Sequence, residues 1–303
     1  MQLYLRRTFG EKITDIFAWV RQYWRPLLKF TTVFLLPVSL VQPLGLVSFV
    51  GKLAAIDSMG LDDGNPVAML GLSTILLFAL TMVMSFVGMM LSMSLCFTMH
   101  RLTIVENRDL NAFTVADMWR AMRPGLGKSL ALTALYTAFF LLWLGVIGLA
   151  ALAGIGGLGL GLLVTLSMLL FLALLPAVAL IAPHYFFSTD SLWHSVSRGF
   201  RYGLSTWWGV VSLCFVVMLV ANVLQSFASL PFQVTLGLNI AMLGELPATG
   251  STALAFITFL SGVVMCYVQF LTQSLSYLAL TVQYGHAVDK VDGVSVADEI
   301  DSF

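Results

Sequence analysis

Apolar residues run through this chain in six long stretches separated by shorter polar ones, and their lengths predict its elements. The first stretch, Phe30 to Val50, carries no charge and contains Pro37 and Pro43, which neighbouring helices can accommodate in a bilayer. After an acidic loop with Asp57, Asp62 and Asp63 comes a second stretch, Val67 to Met99. It exceeds the roughly 20 residues needed to cross a hydrocarbon core of about 30 Å, so that helix must tilt or protrude. No charged residue occurs between Lys128 and Asp190, which leaves room for two spans, with the turn read at Gly154-Ile-Gly-Gly-Leu-Gly-Leu-Gly161. Ala153, Gly157 and Gly161 follow small-xxx-small spacing there and permit a close helix approach. A fifth span is expected over Leu204 to Ser229, ending before Pro231, and a sixth over Thr252 to Tyr284. His286 to Phe303 then reads as a poorly ordered acidic cytoplasmic tail.

None of these runs shows the dyad alternation of barrel strands, and backbone groups in hydrocarbon must be satisfied within the segment, so the spans are helices. The predicted class is an all-α polytopic membrane protein with six transmembrane helices. Composition agrees: 59% of the 303 residues are hydrophobic, 10% are charged, and the mean hydropathy is +0.94, more than a soluble core could hide.

Charge then sets the orientation. Of the 15 Lys and Arg residues, only Lys52 falls on one side of the six-span pattern, so the positive-inside rule places both termini and the long polar loops in the cytoplasm. The N-terminal segment has no early small-residue cleavage site and does not read as a signal peptide. Dispersed basic residues and zero net charge argue against nucleic acid as a partner.

Three segments before the odd-numbered spans share a frame: Ile13-Thr14-x4-Trp19, Phe113-Thr114-x4-Trp119 and Phe187-Ser188-x4-Trp193. Basic residues follow each tryptophan: Arg25 and Lys29, Arg123 and Lys128, Arg198 and Arg201. The Thr or Ser is expected to cap a helix, with Asp117 completing a capping box on Thr114. In the first copy Leu5, Phe9, Ile13, Ile16, Phe17 and Val20 recur at helical spacing, with Arg6, Arg7, Glu11, Lys12 and Asp15 on the other face. Such a helix lies in the membrane interface, where Trp19, Trp119, Trp193 and the six basic residues just named would contact headgroups. The chain therefore divides into a single membrane domain of three repeats, 1–100, 101–187 and 188–285, plus the tail 286–303, each repeat an interfacial helix and a helical hairpin.

Chemistry-bearing residues are sparse. The spans hold no Asp, Glu, Lys or Arg near their middles, which argues against proton relays and intramembrane hydrolysis. His100, His184 and His286 lie at the ends of the three even-numbered spans, either as scattered interfacial residues or as a convergent cluster with Glu106 or Asp190. No metal-ligand spacing, cofactor fingerprint or catalytic constellation occurs, and Cys96, Cys214 and Cys266 read as buried hydrophobes. Span six carries a polar stripe of Gln269, Gln273, Ser276 and Tyr277, read either as interhelical hydrogen bonding or as the wall of an amphiphile-binding cavity.

The phrases Phe17-Ala-Trp-Val-Arg-Gln-Tyr-Trp-Arg-Pro-Leu-Leu-Lys29 and Ser191-Leu-Trp-His-Ser-Val-Ser-Arg-Gly-Phe-Arg-Tyr202, followed by Trp207-Trp208, resemble a group of bacterial multi-span proteins. That group includes the membrane domain attached to some glycerophosphodiester phosphodiesterases. The resemblance implies an inner-membrane location and a lipid-related role, and it transfers no catalytic residue, since a phosphodiesterase barrel of roughly 250 residues has no place in these loops. Together these readings predict a non-enzymatic, lipid-associated scaffold or partner subunit without cofactor or metal. Its expected partners are membrane lipids and either another protein or a second copy of itself. A channel or facilitator for an amphiphile is the alternative.

Overall fold

The first helix begins where the sequence supplies a complete cap. In the computed structural model, which describes residues 3–58, 71–153, 157–242 and 248–294, helix α1 (Phe9–Ser58) opens on Thr8. Thr8 N donates to Glu11 Oε2 at 2.7 Å, and Glu11 N to Thr8 Oγ1 at 3.4 Å. Thr14 is therefore not a cap; it lies inside the helix, its hydroxyl donating to the Gly10 carbonyl at 3.0 Å. The reason is local, because Thr8 has Glu11 three residues on and Thr14 has Phe17. Helicity breaks at Tyr23 (φ −113°, ψ 17°), just ahead of Pro26, whose ring clashes with the carbonyl four residues earlier and removes a donor.

Helix α2 (Leu72–His100) passes directly into a π-helical turn, Arg101–Val105. Asn107 then takes a left-handed conformation (φ 51°), and a short 3-10 turn, Leu110–Ala112, leads to α3 (Val115–Leu152). Here the predicted cap forms: Asp117 N donates to Thr114 Oγ1 at 3.2 Å, and Thr114 N to Asp117 Oδ2 at 3.2 Å. Helices α4 (Gly157–Ala179) and α5 (Ile181–Phe187) follow, then α6 (Leu192–Ser205), α7 (Trp207–Ala241) and α8 (Ala248–Asp292). Ser188 terminates α5 and does not cap α6, whose N-cap is Ser191. No carboxylate follows Ser188 at the third position, so it too lacks a reciprocal box.

Two predicted ends move. Helix α7 runs through Pro231, because unwinding a membrane helix would expose more backbone groups than the single bond a proline removes. Helix α8 continues to Asp292, and Ala287 (0% exposed), Val288 and Asp289 are buried where a loose tail was expected. Among the described residues six helical stretches are long and apolar enough to cross a bilayer, α4 and α5 counting together, and the protein is a multi-pass integral membrane protein.

The fold has two compact units. One contains the described residues of Trp24–Met93 and Met218–Leu275. Polar groups tie its helices together, as expected where lipid gives apolar faces no reason to associate. Gln42 Nε2 donates to Ser85 Oγ at 3.0 Å, the Thr32 and Tyr267 hydroxyls lie 2.6 Å apart, and Asn239 Nδ2 donates to Thr258 Oγ1 at 2.6 Å. Gly45 fits directly against the Leu77 backbone and the Thr81 side chain.

The other unit contains the described residues of Met1–Tyr23, Ser94–Val217 and Ser276–Phe303. Its tightest helix contact is not at the glycines of the span-three and span-four turn. A Cβ on Gly157 or Gly161 would meet nothing within 4 Å, and residues 154–156 of that turn lie outside the described residues. The close approach is made by α6, which turns Ser195, Gly199, Tyr202 and Gly203 inward. A Cβ on Gly203 would stand 2.5 Å from the Ala177 Cα, and one on Gly199 2.6 Å from the Ile181 Cα.

Gly203→Leu should therefore lower stability by about 3 kcal/mol or more, since the obstructing atoms are backbone. Gly145→Ala meets open space and should be neutral or slightly stabilising. Thermal midpoints of the two variants in detergent measure both effects.

Candidate functional site

The polar groups of the second unit gather on the last turns of α8. At 45 residues and 1.5 Å rise, that helix is about 68 Å long, well beyond the thickness of a hydrocarbon core. Its C-terminal part presents Thr281, Gln283, Tyr284, His286, Asp289 and Asp292 to partners from four other segments. Lys12 Nζ donates to Gln283 Oε1 at 2.9 Å, and Arg7 N to His286 Nδ1 at 3.1 Å. Arg6 pairs with Asp289 at 3.5 Å, and the Tyr202 hydroxyl donates to Asp292 Oδ2 at 2.5 Å. Burial, reinforced by the Asp292 carboxylate, pushes the Tyr202 phenol up to about 12. Its contribution to folding is thus constant below the ordinary tyrosine value near 10 and is lost as pH rises through about 12.

The histidines are placed separately by this helix. The Thr281 hydroxyl gives its proton to the Tyr277 carbonyl at 2.9 Å, so His100 Nδ1, 3.1 Å from Thr281 Oγ1, must be the donor. The edge-on rings of Trp19 and Phe97 enclose the same imidazole. His184 Nε2 lies 3.0 Å from Asp190 Oδ2, an acceptor, which leaves Nδ1 to accept from the Tyr284 hydroxyl at 3.1 Å. Arg198 approaches Asp190 at 3.6 Å and completes that chain. Glu106 pairs with Arg101 and Arg108, not with a histidine. Among the described residues no group of three His, Cys, Asp or Glu side chains could hold a metal ion. Among the described residues the three histidines thus share no common cluster: His100 and His184 each meet α8 through separate bonds, and His286 lies on α8 and accepts from Arg7 N.

The predicted headgroup residues divide. Trp19 is buried (5% exposed) and donates from Nε1 to Thr103 Oγ1 at 2.9 Å, so it lacks the free surface a headgroup contact needs. Lys128 is half-buried and donates to the carbonyls of Tyr185 (2.6 Å) and Ser188 (2.9 Å). Arg25, Lys29, Trp119, Arg123, Trp193, Arg198 and Arg201 are exposed. Along the α8 stripe, Gln269 is exposed, Ser276 is half-buried, and Tyr277 packs 5.4 Å from the Phe97 ring. The Gln273 side-chain oxygen is buried without a hydrogen bond among the described residues.

Sequence reasoning missed Lys12 as an interior residue. It is 5% exposed, on the face Lys12, Ile16, Trp19 and Tyr23 that α1 turns inward, while Leu5, Phe9 and Phe17 remain 42–47% exposed. The available signal was the polar stripe on α8, which runs on from Gln283 to His286 and Asp289 in helical steps. No protein-family model, curated protein or solved structure matches this chain.

Gln283→Leu should strand the Lys12 ammonium and cost about 2–3 kcal/mol. The pair Lys12→Met with Gln283→Leu should recover most of that loss, because it removes the charge as well as the acceptor. A double-mutant cycle on thermal stability reads the coupling directly.

Proposed function

We propose that this protein is a non-enzymatic, lipid-associated scaffold or partner subunit of a bacterial inner membrane, with both termini in the cytoplasm. The observation that carries this reading is the orientation of α1 before its break. Arg7 and Lys12 point inward at 5% exposure each, while Leu5, Phe9 and Phe17 stay exposed on an outward side that also carries Arg6, Glu11 and Arg21. Large apolar rings left outward among charged side chains suit a segment at the membrane interface, where the rings reach acyl chains and the charges reach headgroups. Exposed arginines near the starts of α3 and α6, with Arg25 and Lys29 in α1, supply positive charge for anionic lipids, each worth about 1 kcal/mol near the surface. The buried imidazoles and the Lys12 ammonium are engaged in holding α8, which is consistent with a structural use of the chain's few reactive groups.

A fluorophore attached at residue 17 should be quenched by brominated lipid and stay shielded from an aqueous quencher; the reverse result sinks the lipid-facing assignment. Phe9→Ser with Phe17→Ser should weaken that contact by about 1–2 kcal/mol. A cytoplasm-dependent reporter fused after Phe303 should be active, and an export-dependent one inserted after Asp62 should be active too. Turnover or flux by the purified chain alone would overturn the scaffold reading. Flux abolished by Gln269→Leu with Gln273→Leu would establish the facilitator in its place.

A further inference from the structure

A cavity of about 300 Å³ opens beside the π-helical turn, at the lower end of the size range of small-molecule sites. Its lining combines two chemistries. Phe97, Leu102, Pro124 and Phe186 form an apolar part, and Arg101, Arg108, Arg120 and Lys128 bring four cations against the single carboxylate of Glu106.

The backbone is arranged to deliver those charges. The i+5 bonding of the π-helix, continued by Glu106 N to Arg101 O at 3.0 Å, turns both Arg101 and Leu102 toward the cavity. The left-handed Asn107 then folds the chain back, with Arg108 N donating to Leu102 O at 2.9 Å, so that Glu106 and Arg108 reach the same space. Glu106 bridges two guanidiniums, Oε1 to Arg101 Nε at 3.2 Å and Oε2 to Arg108 Nε at 3.1 Å. No other bond to either guanidinium is seen among the described residues, which leaves their terminal nitrogens as donors. Lys128 spends two of its three protons on the Tyr185 and Ser188 carbonyls, which fixes its ammonium at the cavity wall. Asp117 takes a share of Arg120 at 3.6 Å. Orientation in the membrane requires cations on one side, but it does not require four of them around one cavity with an apolar wall.

We propose that this cavity binds the phosphate group of an anionic amphiphile, the guanidiniums of Arg101 and Arg108 holding its oxygens and the apolar wall receiving the first carbons of its chain. Glu106 is the resident counter-anion that keeps the two arginines together until phosphate arrives. The proposal rests on the lipid-associated reading for the source of the ligand, since the phosphate chemistry alone is shared by a lipid headgroup and free phosphate.

Calorimetric titration of the full chain in neutral detergent tests it with dihexanoyl phosphatidate, dihexanoyl phosphatidylcholine and inorganic phosphate. Phosphatidate should bind most tightly. Arg101→Gln with Arg108→Gln should weaken it roughly thirtyfold, at positions exposed enough (about 60%) to leave the thermal midpoint unchanged. Glu106→Gln should strengthen it roughly fivefold, a direction that general damage to the fold would not produce. Inorganic phosphate binding with the same arginine dependence, and no preference for phosphatidate, supports the site and assigns it to free phosphate. Absence of binding by either probe, or affinity indifferent to all three substitutions, overturns it. If bilayer quenching at residue 17 persists in that case, the pocket fails and the lipid-associated reading stands.

Discussion

Polar groups withdrawn from water are costly without partners in the chain, and in one of the two units the end of α8 provides the partners that link the most distant segments. An unpaired ammonium or imidazole in a low-dielectric interior costs several kcal/mol, more than any single apolar contact returns. The Lys12 ammonium, the Arg7 backbone amide, the Tyr202 hydroxyl and one nitrogen of each of two imidazoles bond to side chains between Thr281 and Asp292. The inward orientation of α1 follows from this, since Lys12 can face the interior only because Gln283 is there to receive it. The close seat of α6 on its glycines follows too, because it brings Tyr202 within reach of Asp292.

The basic residues do two different jobs that the positive-inside rule counts as one. Arg7, Lys12 and Lys128 spend their donors on the chain itself, on a carboxylate, an amide or carbonyls. Arg25, Arg123 and Arg201 stay exposed at the starts of membrane helices. Both kinds weigh equally in that rule, because it counts only where a charge sits along the chain. Only the exposed kind remains available to lipid.

Six spans were legible from apolar run length alone, and the Thr114 cap from its partner Asp117, because both signals are local. What escaped the sequence was long-range. Lys12 joins the inward face of α1 through Gln283, 271 positions away, and nothing within α1 announces that partner. The continuation of α8 past Tyr284 was hidden for a similar reason: its polar residues resemble a solvated tail until Lys12, Arg7 and Tyr202 are brought against them. Small-residue spacing misled at Gly157 and Gly161 because the spacing permits close approach but supplies no partner. At Gly203 the partner is Ala177, and the approach occurs.

The π-helical turn at Arg101–Val105 has a further meaning as a matter of phase. A π turn holds one residue more than the α turn it replaces, and each residue of an α-helix accounts for about 100° of rotation. Removing a single residue there would therefore scarcely shorten the chain, yet it would swing every following side chain about a quarter-turn round the axis. The side chains of that turn, Arg101 among them, owe their facing to that additional residue, so an insertion or deletion there acts as a rotation.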